Sequence, residues 1–163
     1  MSVVGEDNLK KNDLAPIAVD IYNVNREQYA QLEFWKVLHV DDLMITITLK
    51  AAADNGRLMN TYEAKVLVEL EEFRDLTGVD VPGVDTSDLS NKLARFAVHE
   101  HNREQNASLE LWKVVKREDE IFDDRIMYCI TLKAVDGGPV GTYYAKVLVT
   151  LKDFQILGAA TSA

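Results

Sequence analysis

The acidic segment at residues 117–126, REDEIFDDRI, contains side chains that could bind an ion or a partner. Its five carboxylates surround two adjacent apolar residues, Ile121 and Phe122. Carboxylate oxygens are calcium ligands, but the segment lacks the ligand spacing and the glycine of an EF-hand loop. Two interpretations remain. Either the apolar pair is exposed at a tip that binds a basic partner surface, or the segment is a charged turn whose Phe122 folds back on its own strand.

Histidine and cysteine show no pattern that is typical of a metal or catalytic site. His99 and His101 are two positions apart on a predicted helix, so they point about 200° apart and cannot share a metal ion. Cys129 is the single cysteine, which excludes an intramolecular disulfide, and strict strand alternation predicts that it is partly accessible. No nucleophile–base pair can be placed, so we expect a protein that is not an enzyme and that uses no cofactor and no metal.

Charge and composition restrict the class of partner. A formal net charge of −9 argues against nucleic acid, since counterion release requires a basic footprint. No segment approaches the ~18 apolar residues of a membrane helix, so no membrane partner is expected. The first residues, MSVVGEDNLKK, lack the basic and apolar regions of a signal peptide. The predicted location is cytoplasmic, or secreted if the sequence is a trimmed mature form.

Four blocks of sequence recur in the same order with a period of about 80 residues. IAVDIYN and NREQYAQLEFWKVL return as FAVHEHN and NREQNASLELWKVV, and ITLKAAADNG and TYEAKVLVELEEFRDL return as ITLKAVDGGP and TYYAKVLVTLKDFQIL. Such a period is too long for a solenoid unit and suits a small independent domain. The repeat predicts two tandem domains, 1–80 and 81–163, with VPGVDTSD at 81–88 as the linker.

The periodicity of the second copy predicts one helix followed by an antiparallel meander. Leu93, Phe96, Ala97 and His101 share one face of a helix, with His101 toward the sheet and His99 toward water. Ser90 or Asn91 would cap its start. Four strands follow, at 109–115, 127–134, 143–151 and 154–157.

The second copy carries six more residues than the first between its WKV and ITL blocks, which marks 117–126 as a hairpin tip, since loops tolerate insertions. The predicted class is α+β, with one helix packed across a curved antiparallel sheet in each copy.

LARFAVHEHN at 93–102, followed by QNASLELWKVVK at 105–116, closely resembles the helix and second strand of the plant cystatins (phytocystatins). The similarity continues through MYCITLKAVDGG and YYAKVLV, and extends more loosely to IAVDIYN, LEFWKV and TYEAKVLV of the first copy. The resemblance implies two tandem cystatin-like domains. It also implies a function, the reversible inhibition of papain-like cysteine proteases by occlusion of their active-site cleft.

The resemblance further implies three contact elements on an inhibitory edge. The first is a glycine near the start of each copy. The second is a QxVxG hairpin tip, which here is HVDDLM in the first copy and EDEIFDDRI in the second. The third is a proline–tryptophan pair in the last hairpin, where leucines stand instead. The candidate protease-binding residues are Gly5, Gly83, Ile121, Phe122, Leu70 and Leu151.

Two of these three motifs are absent in both copies, so inhibition is expected to be weak or lost. One alternative is a non-inhibitory binding or structural repeat protein, similar to the phloem filament proteins, and another is a scaffold recruited for a small ligand or a reaction. Strict alternation points Trp35 and Trp112 away from the apolar face, unless a bulge returns them to the core. Exposed, they would contact a partner, the other domain or a second chain, so self-association is a further expectation.

Overall fold

The computed structural model describes residues 11–24, 26, 31–41, 45–54, 56–158 and 161–162. Gly5 lies outside these residues. In chain order the elements are α1 (Lys11–Asn23), β1 (Glu33–Asp41), β2 (Ile45–Ala53), β3 (Leu58–Asp75), α2 (Asp88–Gln105), β4 (Glu110–Ile121), β5 (Arg125–Val135), β6 (Val140–Ile156) and β7 (Thr161–Ser162). Within the described residues, neither helix has the length and apolarity that crossing a bilayer requires.

The chain forms two compact units, and each takes segments from both sequence copies. One unit, here the α1 unit, comprises the described residues of 10–68, 121–126 and 149–163. The other, here the α2 unit, comprises those of 69–120 and 127–148. Residues 1–80 and 81–163 are the bounds of the two copies in the sequence repeat. That these bounds are also the limits of independently folding domains stays a prediction.

In the α1 unit, the helix of the first copy packs on β1 and β2. The strands β1, β2 and the first part of β3 pair antiparallel in order, and β6 is the neighbour of β3. The pairing of β1 with β2 shifts register beside Trp35. The core includes Leu14, Ile21, Ile47, Leu49 and Val66, all of which are buried.

In the α2 unit, the strand order is β4, β5, β6 and then β3. The helix α2 buries Leu93, Ala94, Ala97 and Val98, whereas His99 is exposed, as the helical periodicity predicts. The α+β class, with a helix on an antiparallel sheet, is confirmed.

The N-cap of α2 differs from the prediction. The helix begins at Asp88, and Ser87 is its cap, because the Ser87 Oγ accepts a hydrogen bond from the Ser90 backbone N–H at 3.1 Å. Neither Ser90 nor Asn91 occupies the cap position. Ser90 is buried, and its hydroxyl accepts a hydrogen bond from the Arg117 guanidinium at 3.0 Å.

The last two predicted strands of the second copy, 143–151 and 154–157, are a single strand. β6 runs unbroken from Val140 to Ile156, and β3 runs in the same way from Leu58 to Asp75. The segments VLVELEEF and VLVTLKDF contain no glycine, proline or asparagine. Asp153 is the one residue of these two segments that favours a tight turn, and no glycine follows it, so the chain continues in extended form.

Equivalent asparagines, Asn23 at the end of α1 and Asn102 in the last turn of α2, hold the strand that follows. The Asn102 amide donates to the Leu109 carbonyl at 2.8 Å and accepts from the Leu109 N–H at 3.0 Å. Asn23 makes the same two bonds with Leu32, both at 2.8 Å. Each side chain thus replaces a backbone partner and sets the position at which the following strand begins.

Candidate functional site

The predicted hairpin tip lies between β4 and β5. The Phe122 N–H donates to the Arg125 carbonyl at 2.8 Å and closes the turn, and the Arg125 guanidinium lies 4.9 Å from the centre of the Phe122 ring. Ile121 is 62% exposed and Phe122 39% exposed. The tip therefore presents an apolar pair to solvent, with Ile121 the more open of the two.

A further hydrogen bond holds this tip in the α1 unit. The Leu151 N–H, from β6, donates to the Asp124 carbonyl at 2.8 Å. Beside this contact is an open cavity of ≈ 300 Å³, whose lining includes Tyr22, Arg26, Asp123 and Asp124. The Arg26 guanidinium stacks over the Tyr22 ring at 4.1 Å. The tip is thus fixed by backbone bonds, with carboxylates at its rim.

Several acids of the tip are paired within the hairpin itself. Asp119 accepts two hydrogen bonds from Arg117, at 2.9 and 3.2 Å, and Asp124 lies 3.3 Å from Arg125. The Lys116 ammonium lies 3.8 Å from Glu118. These pairs reduce the local negative charge that the sequence alone suggests.

Arg117 is a residue that sequence reasoning missed. Besides Asp119 it contacts Ser90 of α2, and its guanidinium lies 5.5 Å from the centre of the Tyr128 ring. It therefore ties the base of the hairpin to the start of the helix. The available signal was that Arg117 and Asp119 are two positions apart on one strand, which places them on the same face.

Asp85, just before α2, belongs to the same cluster. The side-chain hydrogen bond with Ser90 lowers the pKa of Asp85, and the Ser87 backbone N–H and the Arg117 charge act in the same direction. The Ser87 N–H lies 2.9 Å from the carboxylate, and the Asp85 N–H donates to the Val114 carbonyl at 2.8 Å. The linker is thereby held against β4.

Gly83 and Leu70, two of the predicted contact residues, lie in the α2 unit. Gly83 has φ +117°, and a Cβ there would lie 3.6 Å from the Val115 carbonyl oxygen. Leu70 is inside β3, where with Phe73 and His101 it lines a cavity of ≈ 370 Å³. Leu151 is likewise inside β6. Ile121, Phe122 and Leu151 are brought together in the α1 unit, and Gly83 and Leu70 are not part of that group.

Trp112 is exposed, as strict alternation predicts. Its side chain is 58% exposed, and the Lys113 ammonium lies 5.0 Å from the ring centre. It lines a cavity of ≈ 700 Å³ in the α2 unit, next to Lys133, whose ammonium pairs with Asp80 at 3.0 Å. The Trp35 side chain lies outside what the structure describes. The role of either tryptophan in contacting a partner stays a prediction.

The prediction that Cys129 is partly accessible is wrong. Cys129 is 9% exposed, because β4 and β6 flank its strand, and its Sγ lies 3.6 Å from the Glu120 carboxylate. A hydrogen bond with Cys129, with burial adding to it, raises the pKa of Tyr144 to about 12. In the described part of the chain, no group of three His, Cys, Asp or Glu side chains could hold a metal ion.

Comparison with known proteins gives matches to both copies. A family model described as "Aspartic acid proteinase inhibitor" matches residues 84–160. Multicystatin of Solanum tuberosum is 32% identical over 93% of this chain, which spans 23% of that protein. Cysteine proteinase inhibitor A of Helianthus annuus is 47% identical over 44% of this chain and 95% of its own length.

Cysteine proteinase inhibitor 6 of Arabidopsis thaliana is 40% identical over 57% of this chain and 42% of its own length. No solved structure matches the chain. The sunflower relative is covered almost completely, and the potato relative is matched across both copies. The chain therefore belongs to the plant cystatin family.

Proposed function

We infer that the chain is a reversible inhibitor of papain-like cysteine proteinases and that the hairpin tip is its main contact. The observation that carries this proposal is the exposure of Ile121 and Phe122 on a turn that is closed by the Phe122–Arg125 backbone bond and braced by the Leu151–Asp124 bond. Exposed apolar side chains on a preorganised turn can enter a cleft with little loss of conformational entropy. The names of the relatives support the same activity, and occlusion requires no catalytic group in the inhibitor.

Low affinity is part of the proposal. Leu70 and Leu151 take the places of the proline–tryptophan pair of the family, but both lie within long strands and not at a hairpin tip. Gly83 belongs to the α2 unit, whereas Ile121 and Phe122 belong to the α1 unit. Interface energy is concentrated in a few well-packed anchors. An inhibitor with one such anchor binds less tightly than an inhibitor with three.

Papain titration with matched variants tests the proposal. The variant carries Ile121→Ala with Phe122→Ala. The control is Ile156→Ala, which removes a side chain of similar exposure, 57% against 62%, from the same unit. We expect the inhibition constant to weaken about tenfold or more in the tip variant, which corresponds to about 1.4 kcal/mol, and to stay unchanged in the control.

Two results would contradict this proposal. One is a wild-type inhibition constant weaker than about 1 μM. The other is an equal effect of the tip and control variants. The first result would favour a non-inhibitory binding or structural module, in which the tip or Trp112 contacts another protein.

An aspartic proteinase is a second candidate target. The match of the family described as "Aspartic acid proteinase inhibitor" covers residues 84–160, which include α2 and the whole tip. The same proteins should therefore be titrated against pepsin. Inhibition of pepsin that is lost in the tip variant, with no inhibition of papain, would reassign the target class and leave the contact residues as proposed.

A further inference from the structure

The two copies exchange their last strands. In the α2 unit the Leu76 N–H donates to the Thr142 carbonyl at 2.8 Å, and in the α1 unit the Leu157 N–H donates to the Thr61 carbonyl at 2.8 Å. Leu76 and Leu157 occupy equivalent positions in the repeat, and so do Thr61 and Thr142. The same bond therefore forms twice, each time between the end of one copy and the body of the other.

Side-chain contacts follow the same reciprocal pattern. Phe73 from the first copy stacks on His101 of the second at 4.1 Å, and Phe154 from the second copy stacks on Tyr22 of the first at 4.4 Å. His101 and Tyr22 are equivalent residues, each directly before the asparagine that bonds to the following strand. Each exchanged strand thus packs one phenylalanine against the helix of the other copy.

Two polar side-chain pairs between β3 and β6 have the same register as the backbone hydrogen bonds. The Lys146 ammonium lies 3.9 Å from Glu72, and the Gln155 amide donates to Glu63 at 3.4 Å. Glu72 is four residues before Leu76, and Lys146 is four residues after Thr142. In the same way Glu63 is two residues after Thr61, and Gln155 is two residues before Leu157, so both pairs have the register of the backbone bonds. Backbone and polar contacts therefore agree on one antiparallel pairing of β3 with β6.

The sequence gives a physical reason for the exchange. If Leu76 paired with Thr61 of its own copy, Val68 and Glu69 would be the two central residues of a hairpin turn. The equivalent pair in the second copy would be Val149 and Thr150. Tight two-residue hairpins favour residues that tolerate positive φ, chiefly Gly, Asn and Asp. Val and Thr are β-branched and resist it, so the extended, exchanged form is favoured.

We propose that the two copies are obligate binding partners, each of which accepts the last strand of the other. The covalent connection through residues 77–87, between Leu76 and α2, is then not what holds them together. The body of each copy is a strand-binding site, and its ligand is an extended segment with a phenylalanine anchor, such as 69–76 or 150–157. This inference does not depend on any inhibitory activity.

The test uses the full chain with a recognition sequence for a specific protease inserted between Val81 and Pro82. The folded protein is cut and then weighed by native mass spectrometry. We expect both fragments to remain in one particle with the mass of the uncut chain, 18.3 kDa apart from the insertion. Separation into two folded species, each with half of that mass, would overturn the proposal.

Engineered disulfides report which strands pair. In a Cys129→Ser background, Glu72→Cys with Lys146→Cys should link the two fragments after the cut, because these residues face each other in the exchanged register. The matched control is Glu72→Cys with Lys65→Cys, the pair that would face each other in a self-contained copy. Both positions of the first pair are partly exposed, at 36% and 33%, so the fold should tolerate them. A disulfide in the control and none in the first pair would contradict the exchange.

A third experiment introduces the hairpin turn that each copy lacks. Asn-Gly at 68–69 and at 149–150, made as Val68→Asn with Glu69→Gly and Val149→Asn with Thr150→Gly, supplies the turn that each copy lacks. After the cut, the fragments of this variant should separate. If they stay together and the 72–146 disulfide does not form, the copies adhere through other contacts and the proposal is wrong.

Discussion

At the residue scale, the equivalent asparagines in the last turns of the two helices have a clear structural role. Asn102 and Asn23 each make two hydrogen bonds to the backbone of the next strand. Sequence reasoning treated Asn102 as part of a family signature and assigned it no contact. The structure shows why this residue type suits the position, since an amide can donate to a carbonyl and accept from an N–H at the same time.

We expect Asn102→Ala to lower the free energy of unfolding by about 1–3 kcal/mol, because it leaves the partly buried Leu109 N–H and carbonyl without their partner. Asn23→Ala should have a similar effect. The measurement is urea unfolding, with Gln105→Ala at an exposed helix position as control. Equal stabilities of Asn102→Ala and the control would show that water replaces these bonds without cost.

Asp85 gives the fold a defined sensitivity to acid. Its pKa is lowered from 3.8 in the folded protein, chiefly by the hydrogen bond with Ser90. A depressed folded pKa contributes stability above the unfolded value, and that contribution is lost as the pH falls through the folded value. Asp85→Asn should therefore reduce the loss of stability as the pH falls below about 4. Urea midpoints measured across this range test it, and an unchanged pH slope in the variant would count against the assignment.

At the element scale, the informative feature is a missing turn. Neither last-hairpin region contains a proline–tryptophan pair, and from the sequence this absence indicates a missing contact residue. The residues that replaced the pair, Leu70 and Leu151, continue the strands β3 and β6. The chain therefore differs from the expected hairpin in its path as well as in its surface residues. Hydrophobic alternation cannot show this, since it is the same in a hairpin strand and in an exchanged one.

The helices and the tip, in contrast, could be predicted. The helical face of Leu93 and Ala97 is set by local spacing, and the tip at 117–126 follows from a length difference between copies. The choice of strand partner is not local. Each copy offers an equivalent acceptor, Thr61 or Thr142, so pairing preferences within the strands are balanced, and the turn decides between the two.

The tip also supports an engineering prediction. Replacing residues 120–124 with a glutamine–valine–glycine tip of the family type should strengthen papain inhibition, because glycine allows close backbone approach to the cleft. The gain should be partial, since β6 still carries Leu151 within a strand. Inhibition constants of the wild type and the graft are compared, with the same graft plus Ile156→Ala as control. A graft without any gain would indicate that the tip does not reach the cleft.

At the scale of the whole molecule, strand exchange predicts one cooperative transition. Both units are built on β3 and β6, so the loss of either strand removes part of each. We expect a single urea transition whose slope corresponds to 163 residues and is steeper than the slope of a half-length domain. Trp35→Phe leaves Trp112 as a reporter on β4, and Trp112→Phe leaves Trp35 as a reporter on β1. Their midpoints should coincide, and clearly separated midpoints would contradict the expectation.

The stacked pairs Tyr22–Phe154 and His101–Phe73 also affect how a duplicated gene of this kind can diverge. When the copies of a repeat fold independently, the effect of a substitution on stability depends only on contacts within the same copy. Here the effect of a substitution at Tyr22 depends on Phe154, near the end of the other copy. A recombination event that deleted one copy would leave the strand-binding site of its sister empty and the last strand of that sister without its acceptor. We therefore expect selection to act on the two copies as one inherited pair. The tyrosine-to-histidine difference between them marks where that pair has already diverged.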